Sequence, residues 1–427
     1  MSKLVIKNGR VVDPAQGLDR ISDIAIENGL IREIAEDIDA TGSEVFDASG
    51  LVVAPGFIDM HVHLREPGFE HAETIETGSR AAAAGGFTSI CCMPNTEPIN
   101  DNATVTSYIV DRARRFGVVN VYPIGAITKN SAGEELSSMA SMKQAGIIAI
   151  SDDGKPVMNA RVVRRAMEYA RALDLPLIEH CEDLHLSANG DMHEGLQSIR
   201  LGLRGIPRSS EDVMVARDII LAEVTGVRYH VAHISSQHSV EMVSFAKQRG
   251  LSVTAEATPH HFLLSDSDMP PYDSSYKMKP PLRERRDIEA VTQGLVSGAI
   301  DAIATDHAPH PGAEKMQEFE RCPFGIIGLE TAVGLALESL YHTGKLPLSR
   351  LIQVFTQNPA RILSLDRGTL RTGAVGDVTI LSLDRKWIYD VNQSPSKSRN
   401  TPFNGHRFRG GPLATVVGGR VIWRCGG

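Results

Sequence analysis

The chain has no run of lysine or arginine, and its 44 basic and 52 acidic residues leave a formal charge of −8. A nucleic-acid binder needs a clustered basic face, so this composition argues against nucleic acid as a partner. No stretch approaches the roughly 18 unbroken apolar residues of a membrane span. The opening MSKLVIKNGRVVDP runs straight into an alternating apolar pattern, without the apolar core of a secretion signal. A cytoplasmic protein with no membrane partner is expected. Cys91, Cys92, Cys181, Cys322 and Cys425 are odd in number, irregular in spacing and form no Cys-x-x-Cys, so no disulfide framework is expected and the thiols read as reduced and mostly buried. With 38 glycines and 22 prolines the chain stays far below the roughly 25–30% of low-complexity sequences. At 427 residues it has room for two or three domains, or for one large α/β barrel with something smaller attached.

Both ends read as short β-structure. Near the start, alternating apolar positions flank Asn28-Gly29, and near the end Ala414 to Val417 and Val421 to Trp423 are joined through Gly418-Gly419. Such pairs tolerate the positive φ of a two-residue hairpin turn. The middle is different. Eight apolar runs, Val52 to His63, Phe87 to Asn95, Val119 to Thr128, Ile147 to Asp153, Leu177 to His180, Tyr229 to His233, Ser252 to His261 and Ala299 to His307, alternate with helix-period segments. Helices are expected from Glu73 to Ala84, stopped by Gly85-Gly86, and from Val162 to Leu173 behind a cap at Asn159. Another is expected from Val213 to Val224 behind a capping box of Ser209 and Asp212. Eight strand–helix alternations predict an α/β fold, a (β/α)8 TIM-like barrel over residues 55–365. The two β-rich flanks, 1–54 and 366–427, lie outside it.

Nearly every run ends in His, Asp, Asn or Thr, and in a barrel those ends meet at one mouth. His61 and His63, two apart on a strand, offer two imidazoles to one ion. Ser151-Asp152-Asp153, Glu179-His180, Ala232-His233 and Thr305-Asp306 close four further runs. Six donors from five strand ends suit zinc or a similar borderline ion, and two ions a few ångströms apart would need one bridging carboxylate. Asp153 is the choice for that bridge, with Asp152 facing away. Arg65 places a guanidinium at the mouth, where it could clamp a carboxylate or pair with Glu66 or Glu70.

The stretches GFIDMHVHLREPGFEHAETIETGSRAAAAGGFTSICCMPNT, ISDDG, EHCED, RYHVAHIS, VTAEATPHH, AIATDHAPH and PFGIIGLETA resemble the amidohydrolase superfamily and, within it, the bacterial dihydroorotases of the first, long-chain class. The resemblance runs almost end to end and implies a small β-sandwich domain assembled from both termini. It implies two Zn2+ ions per subunit, one held by His61, His63, Asp153 and Asp306, the other by Asp153, His180 and His233, with no carboxylated lysine at Lys155. It implies Asp306 as the catalytic proton carrier, and His63, Arg65, Asn95 and His310 around a ring carboxylate. Phe324 and Gly325 would touch the pyrimidine ring through the backbone. Where the family often has Asn this chain has Lys279, which could donate to the same acceptor, pair with the anionic substrate or turn outward.

The reaction implied is the reversible closure of N-carbamoyl-L-aspartate to (S)-dihydroorotate in de novo pyrimidine biosynthesis, with a homo-oligomer and an aspartate transcarbamoylase complex as expected assemblies. Two rivals remain: a hydantoinase or allantoinase on the same scaffold, and a non-catalytic homologue partnering aspartate transcarbamoylase. Against the second, all six metal-binding candidates are present. His260, His261 and His307 are expected to support the metal ligands, whereas His71, His185, His193, His230, His238, His342 and His406 are read as structural. The polar segment His310 to Pro323 is expected to be a mobile loop over the site.

Overall fold

The computed structural model describes residues 3–426; residues 1–2 and 427, the outermost parts of the two terminal segments, lie outside it. Both chain ends enter one eight-stranded sheet. The N-terminal part supplies Lys3–Asp13, Leu18–Glu27, Leu30–Ala35, Glu44–Asp47 and Val52–Pro55; the C-terminal part supplies Val378–Ile388, Arg407–Val417 and Arg420–Arg424. They join where Val52–Pro55 runs antiparallel to Val378–Ile388, with Val53 opposite Ile380. Both expected hairpins form, with φ of 52° and 80° at Asn28 and Gly29 and of 54° and 74° at Gly418 and Gly419. Leu4, Ile6, Ile24, Val53, Ile380 and Val416 share one buried cluster, so the ends are held by a common core as well as by the ladder.

Between them lie two parallel sheets. One contains Phe57–Val62, Phe87–Cys92 and Asn120–Pro123; the other contains Leu177–Glu179, Tyr229–Val231, Val253–Ala257 and Ala302–Ile303. Single parallel bridges connect them: Gly125 with Ile150, Ile150 with Leu177, and His307 with Val62. The pairing therefore runs through eight segments and returns to its start. Met60, Cys91, Ile124, Ala149, Ile178, Ala232 and Ala302, one from each of seven segments, pack together with Ile362 and Leu363.

Three local expectations need correction. Val52 to His63 is two strands. Gly56 separates them, donating its N–H to Asp377 O at 2.9 Å, and a Cβ there would collide with Thr88 Oγ1. Ile147 to Asp153 is paired only around Ile150, where the Ile148 and Ser151 N–H groups donate to Pro123 O and Gly125 O at 3.2 and 2.9 Å; beyond it the Asp152 side chain replaces a backbone carbonyl, its Oδ1 accepting the Ile127 and Thr128 N–H groups at 2.8 and 3.2 Å. Helix Ser209–Thr225 has no side-chain cap at its start; Asp212 instead accepts from Ser236 and Ser239 Oγ at 2.6 and 2.9 Å, tying this helix to Gln237–Gln248. The other two helices form as Ile75–Ala84, capped by Thr74, and Ala160–Ala172, capped by Asn159. No helix among the described residues is long and apolar enough to cross a membrane. Of the five free cysteines only Cys425 is partly exposed.

Candidate metal centre and substrate cavity

The ends of the ring segments bring His61, His63, Asp153, His180, His233 and Asp306 together, all buried. His61 Nε2 lies 3.3 Å from Asp153 Oδ1 and 3.5 Å from Asp306 Oδ1, and His63 Nε2 lies 3.0 Å from Asp306 Oδ1 and 3.5 Å from Asp153 Oδ2. The same Asp153 Oδ1 is approached by His180 Nδ1 and His233 Nε2 at 3.8 and 3.6 Å, and these two nitrogens lie 2.9 Å apart. Asp153 thus faces both groups. His61 Nε2 and Asp153 Oδ1 are buried with no hydrogen-bond partner, which is costly unless something else satisfies them. Converging imidazole nitrogens and carboxylate oxygens with unspent lone pairs fit a divalent cation of borderline character. His233 and Asp306 hold φ of 31° and 47°, a left-handed conformation costly for residues other than glycine and common at functional sites.

Charge follows from these contacts. Burial pushes the Asp306 carboxyl up, but the His63 hydrogen bond and the neighbouring imidazoles outweigh it and hold the group well below the usual carboxylate range. Asp153 is held low in the same way, burial being overcome chiefly by His61 and His233. His63 is shifted down by burial, which favours the neutral imidazole a metal ligand needs. Asp152 faces away, as expected, and burial raises it to about 6. Lys155 is exposed and outside the cluster.

Behind the candidate ligands stands a set of partners that the sequence pattern does not show. Glu256 Oε1 lies 2.8 Å from His61 Nδ1, Asn95 Oδ1 2.8 Å from His63 Nδ1, and Glu182 Oε2 3.1 Å from His180 Nε2. Hydrogen bonds from His230 and His61 overcome the burial of Glu256 and lower it to about 2. None of the side chains of His260, His261 and His307 hydrogen-bonds a candidate ligand; His261 bonds Thr258 and Pro280 O, and His307 faces Glu73. His230, read as structural, contacts Glu256 at 3.2 Å. The available signal was a single carboxylate, Glu256, inside the apolar run Val253–Ala257.

A cavity of about 280 Å3 opens over the cluster, lined by His63, Arg65, Asn95, Asp153, His180, His233, Lys279, Asp306, His310, Phe324 and Gly325 among others. Every expected site residue except His61, which lies fully buried behind it, reaches this one space. Arg65 makes neither of the alternative ion pairs: Glu66 is taken by Arg112 and the Ile75 N–H, and Glu70 by the Gly68 N–H. Its Nε donates to Pro309 O at 3.2 Å and its Nη2 lies 3.3 Å from His310 Nε2, leaving the guanidinium without a carboxylate partner among the described residues. Burial, then Arg65 and Lys315, lowers His310 to about 3. Lys279 turns to Glu182, with Nζ 2.8 Å from Oε1, while staying on the cavity wall. Asn95, its oxygen directed at His63, keeps its amide nitrogen for the cavity.

The segment from His310 to Pro323 is pinned rather than loose. It holds the short helix Gly312–Lys315, and buried Lys315 Nζ donates to Pro323 O and Gly325 O at 2.9 and 3.1 Å. Phe319 and Cys322 are buried as well. Lysine ties three backbone carbonyls here, a device that the segment's polar composition concealed.

Among solved structures the fold resembles an L-hydantoinase (dihydropyrimidinase) from Arthrobacter aurescens, with a TM-score of 0.90 at 25% identity over 100% of this chain and 97% of that one. It also resembles a dihydropyrimidinase from Brevibacillus agri, with a TM-score of 0.86 at 22% identity over 99% and 95%. A histidine–aspartate cluster at the strand ends of such a scaffold is the arrangement of the amidohydrolase superfamily. Within that class the sequence comparisons are narrower. A Dihydro-orotase-like family model matches residues 50–239. A dihydroorotase from Solibacter usitatus is 66% identical over 98% of both chains, and one from Pelotomaculum thermopropionicum is 54% identical over 98% of both. The chain belongs to the dihydroorotase family.

Proposed function

We propose that the protein interconverts N-carbamoyl-L-aspartate and (S)-dihydroorotate in pyrimidine biosynthesis, with two zinc ions in the cluster. His61, His63, Asp153 and Asp306 would hold one ion and Asp153, His180 and His233 the other; the approach of His61, His63, His180 and His233 to the one Asp153 carboxylate supports its role as the shared ligand. When bound, such a pair lowers the pKa of an attacking water and polarises the amide carbonyl. Asp306, ionised at neutral pH and on the cavity wall, accepts the water's proton and passes it to the ring nitrogen as the C–N bond breaks. Run backwards, the same proton movement closes the ring.

The observation that carries the substrate assignment is Arg65, a buried guanidinium with no carboxylate partner on the cavity wall beside His310 and Asn95. It is positioned to take a ring carboxylate bidentately. Phe324 and Gly325 border the same space, and Gly325, at φ 125°, leaves no room for a Cβ, which would sit 2.6 Å from Ala308 Cβ. Lys279 also borders the space, its ammonium paired with Glu182.

The closed run of eight parallel segments supports a (β/α)8 barrel over residues 55–365, and the shared core of the terminal strands supports a β-sandwich from 1–54 and 366–427. Cytoplasmic location, self-association and a complex with aspartate transcarbamoylase belong to the same reading and rest on the family resemblance. Hydantoin, allantoin and dihydrouracil lack the carboxylate that Arg65 would bind. The test is hydrolysis of dihydroorotate beside those three rings by purified, zinc-supplemented protein, with and without aspartate transcarbamoylase. Turnover of dihydroorotate alone is expected; turnover of an uncarboxylated ring instead would overturn the substrate assignment.

A further inference from the structure

We propose that Glu256 and His230 form a positioning pair that holds His61 in the tautomer able to bind metal. The inference rests on the assignment of His61 as a metal ligand and extends it to residues that touch neither metal nor substrate. Glu256 Oε1 lies 2.8 Å from His61 Nδ1 and its Oε2 lies 3.2 Å from His230 Nε2. An ionised carboxylate only accepts hydrogen bonds, so both facing nitrogens carry their protons. The Glu256 contact thus keeps a proton on His61 at Nδ1 and leaves Nε2, which faces Asp153 and Asp306 and has no hydrogen-bond partner, as the nitrogen offered to a metal. His230 is fixed in turn: with Nε2 donating, Nδ1 accepts from Thr254 Oγ1 at 2.8 Å.

All three side chains sit in fully buried positions on three different segments of the ring, so the line Thr254, His230, Glu256, His61 crosses its interior. Glu256 and His230 are absent from the wall of the substrate cavity, whereas His230 and Thr254 line a separate cavity of about 540 Å3 at the N-terminal ends of the strands. The metal centre is thus braced from the side opposite the substrate.

The test uses full-length protein and zinc alone as the probe, with zinc affinity read by chelator competition and imidazole tautomers by 15N NMR of histidine-labelled protein, His61 being assigned by His61→Gln. Parent protein should show His61 protonated at Nδ1, with its Nε2 resonance shifting on zinc addition. Glu256→Ala should lose the fixed tautomer and weaken zinc binding by about 10- to 100-fold. Glu256→Gln, which keeps an acceptor for His61, should fall between that variant and the parent, and His230→Ala should weaken binding several-fold. A merely structural pair would lower the melting temperature while leaving affinity and tautomer unchanged, and that result would overturn the proposal. Should Glu256→Ala not fold, parental affinity in both Glu256→Gln and His230→Ala would overturn it equally. Parent protein whose His61 does not respond to zinc would remove the metal assignment itself, an outcome distinct from failure of the brace alone.

Discussion

Asp306 and Arg65 have the two separate roles proposed for the cavity, proton carrier and carboxylate clamp, and single substitutions distinguish them. Asp306 hydrogen-bonds His63 at 3.0 Å and is held ionised. Asp306→Asn removes its basicity with little change of shape, and turnover of dihydroorotate should fall by roughly 10²–10⁴-fold while circular dichroism stays parental. Near-normal turnover would make the proton-carrier role untenable. Arg65→Ala removes the carboxylate partner instead. KM for dihydroorotate should rise by roughly 10- to 100-fold, as loss of a charge-assisted pair implies, with kcat changed much less; a kcat effect larger than the KM effect would contradict a binding role. The candidate ligands were legible as residues because each ends an apolar run with a polar side chain. Their partners Glu256, Glu182 and the oxygen of Asn95 were not, since a hydrogen bond between segments leaves no local pattern in sequence.

At the scale of elements, the mouth of the ring depends on a piece of chain far away in sequence. Asn400 Nδ2 donates to Ala308 O and Gly325 O at 2.9 and 3.0 Å, and its Oδ1 accepts the His310 N–H at 3.1 Å. One side chain from the C-terminal segment therefore fixes the backbone that carries His310 and Gly325. Asn400→Ala should raise KM by about 10-fold, through lost hydrogen bonds worth about 1 kcal/mol each, and leave zinc content unchanged. Parental kinetics would show that the pinned segment holds itself. Strands were legible as apolar runs, but their extents were not. Asp152, just past Ile150, accepts the Ile127 and Thr128 N–H groups, and Asp212 binds serines at and near the start of the next helix instead of capping its own. In both cases an aspartate takes its donors from a distant segment.

The whole molecule's response to pH includes buried groups remote from the cavity. Burial, then Arg283 and Arg208, lowers His193 to about 3, against an ordinary value near 6.5. The unfolded chain therefore takes up a proton below about pH 6.5 that the folded chain refuses, so this contribution is complete above 6.5 and lost as pH falls towards 3. At pH 5 the loss is about 2 kcal/mol. Asp59 and Glu330, raised by burial to about 7, titrate in the opposite sense, so the comparison of variant with parent is the informative one. His193→Gln should give a shallower fall in melting temperature between pH 7 and pH 5 than the parent; parallel curves would mean that His193 is protonated in the folded state.

The sequence by itself determined the α/β alternation, the β-structured ends with their hairpins, and the six candidate metal-binding side chains, because each is written in short-range periodicity or at the close of a run. Only the tertiary structure decided that Arg65 is free of Glu66 and Glu70, that Lys279 turns to Glu182, that Lys315 pins its segment, and that Glu256 and Asn400 stand behind the site. Those outcomes are competitions among donors and acceptors from 8 to 244 residues apart, and the winner is set by which groups the fold buries side by side.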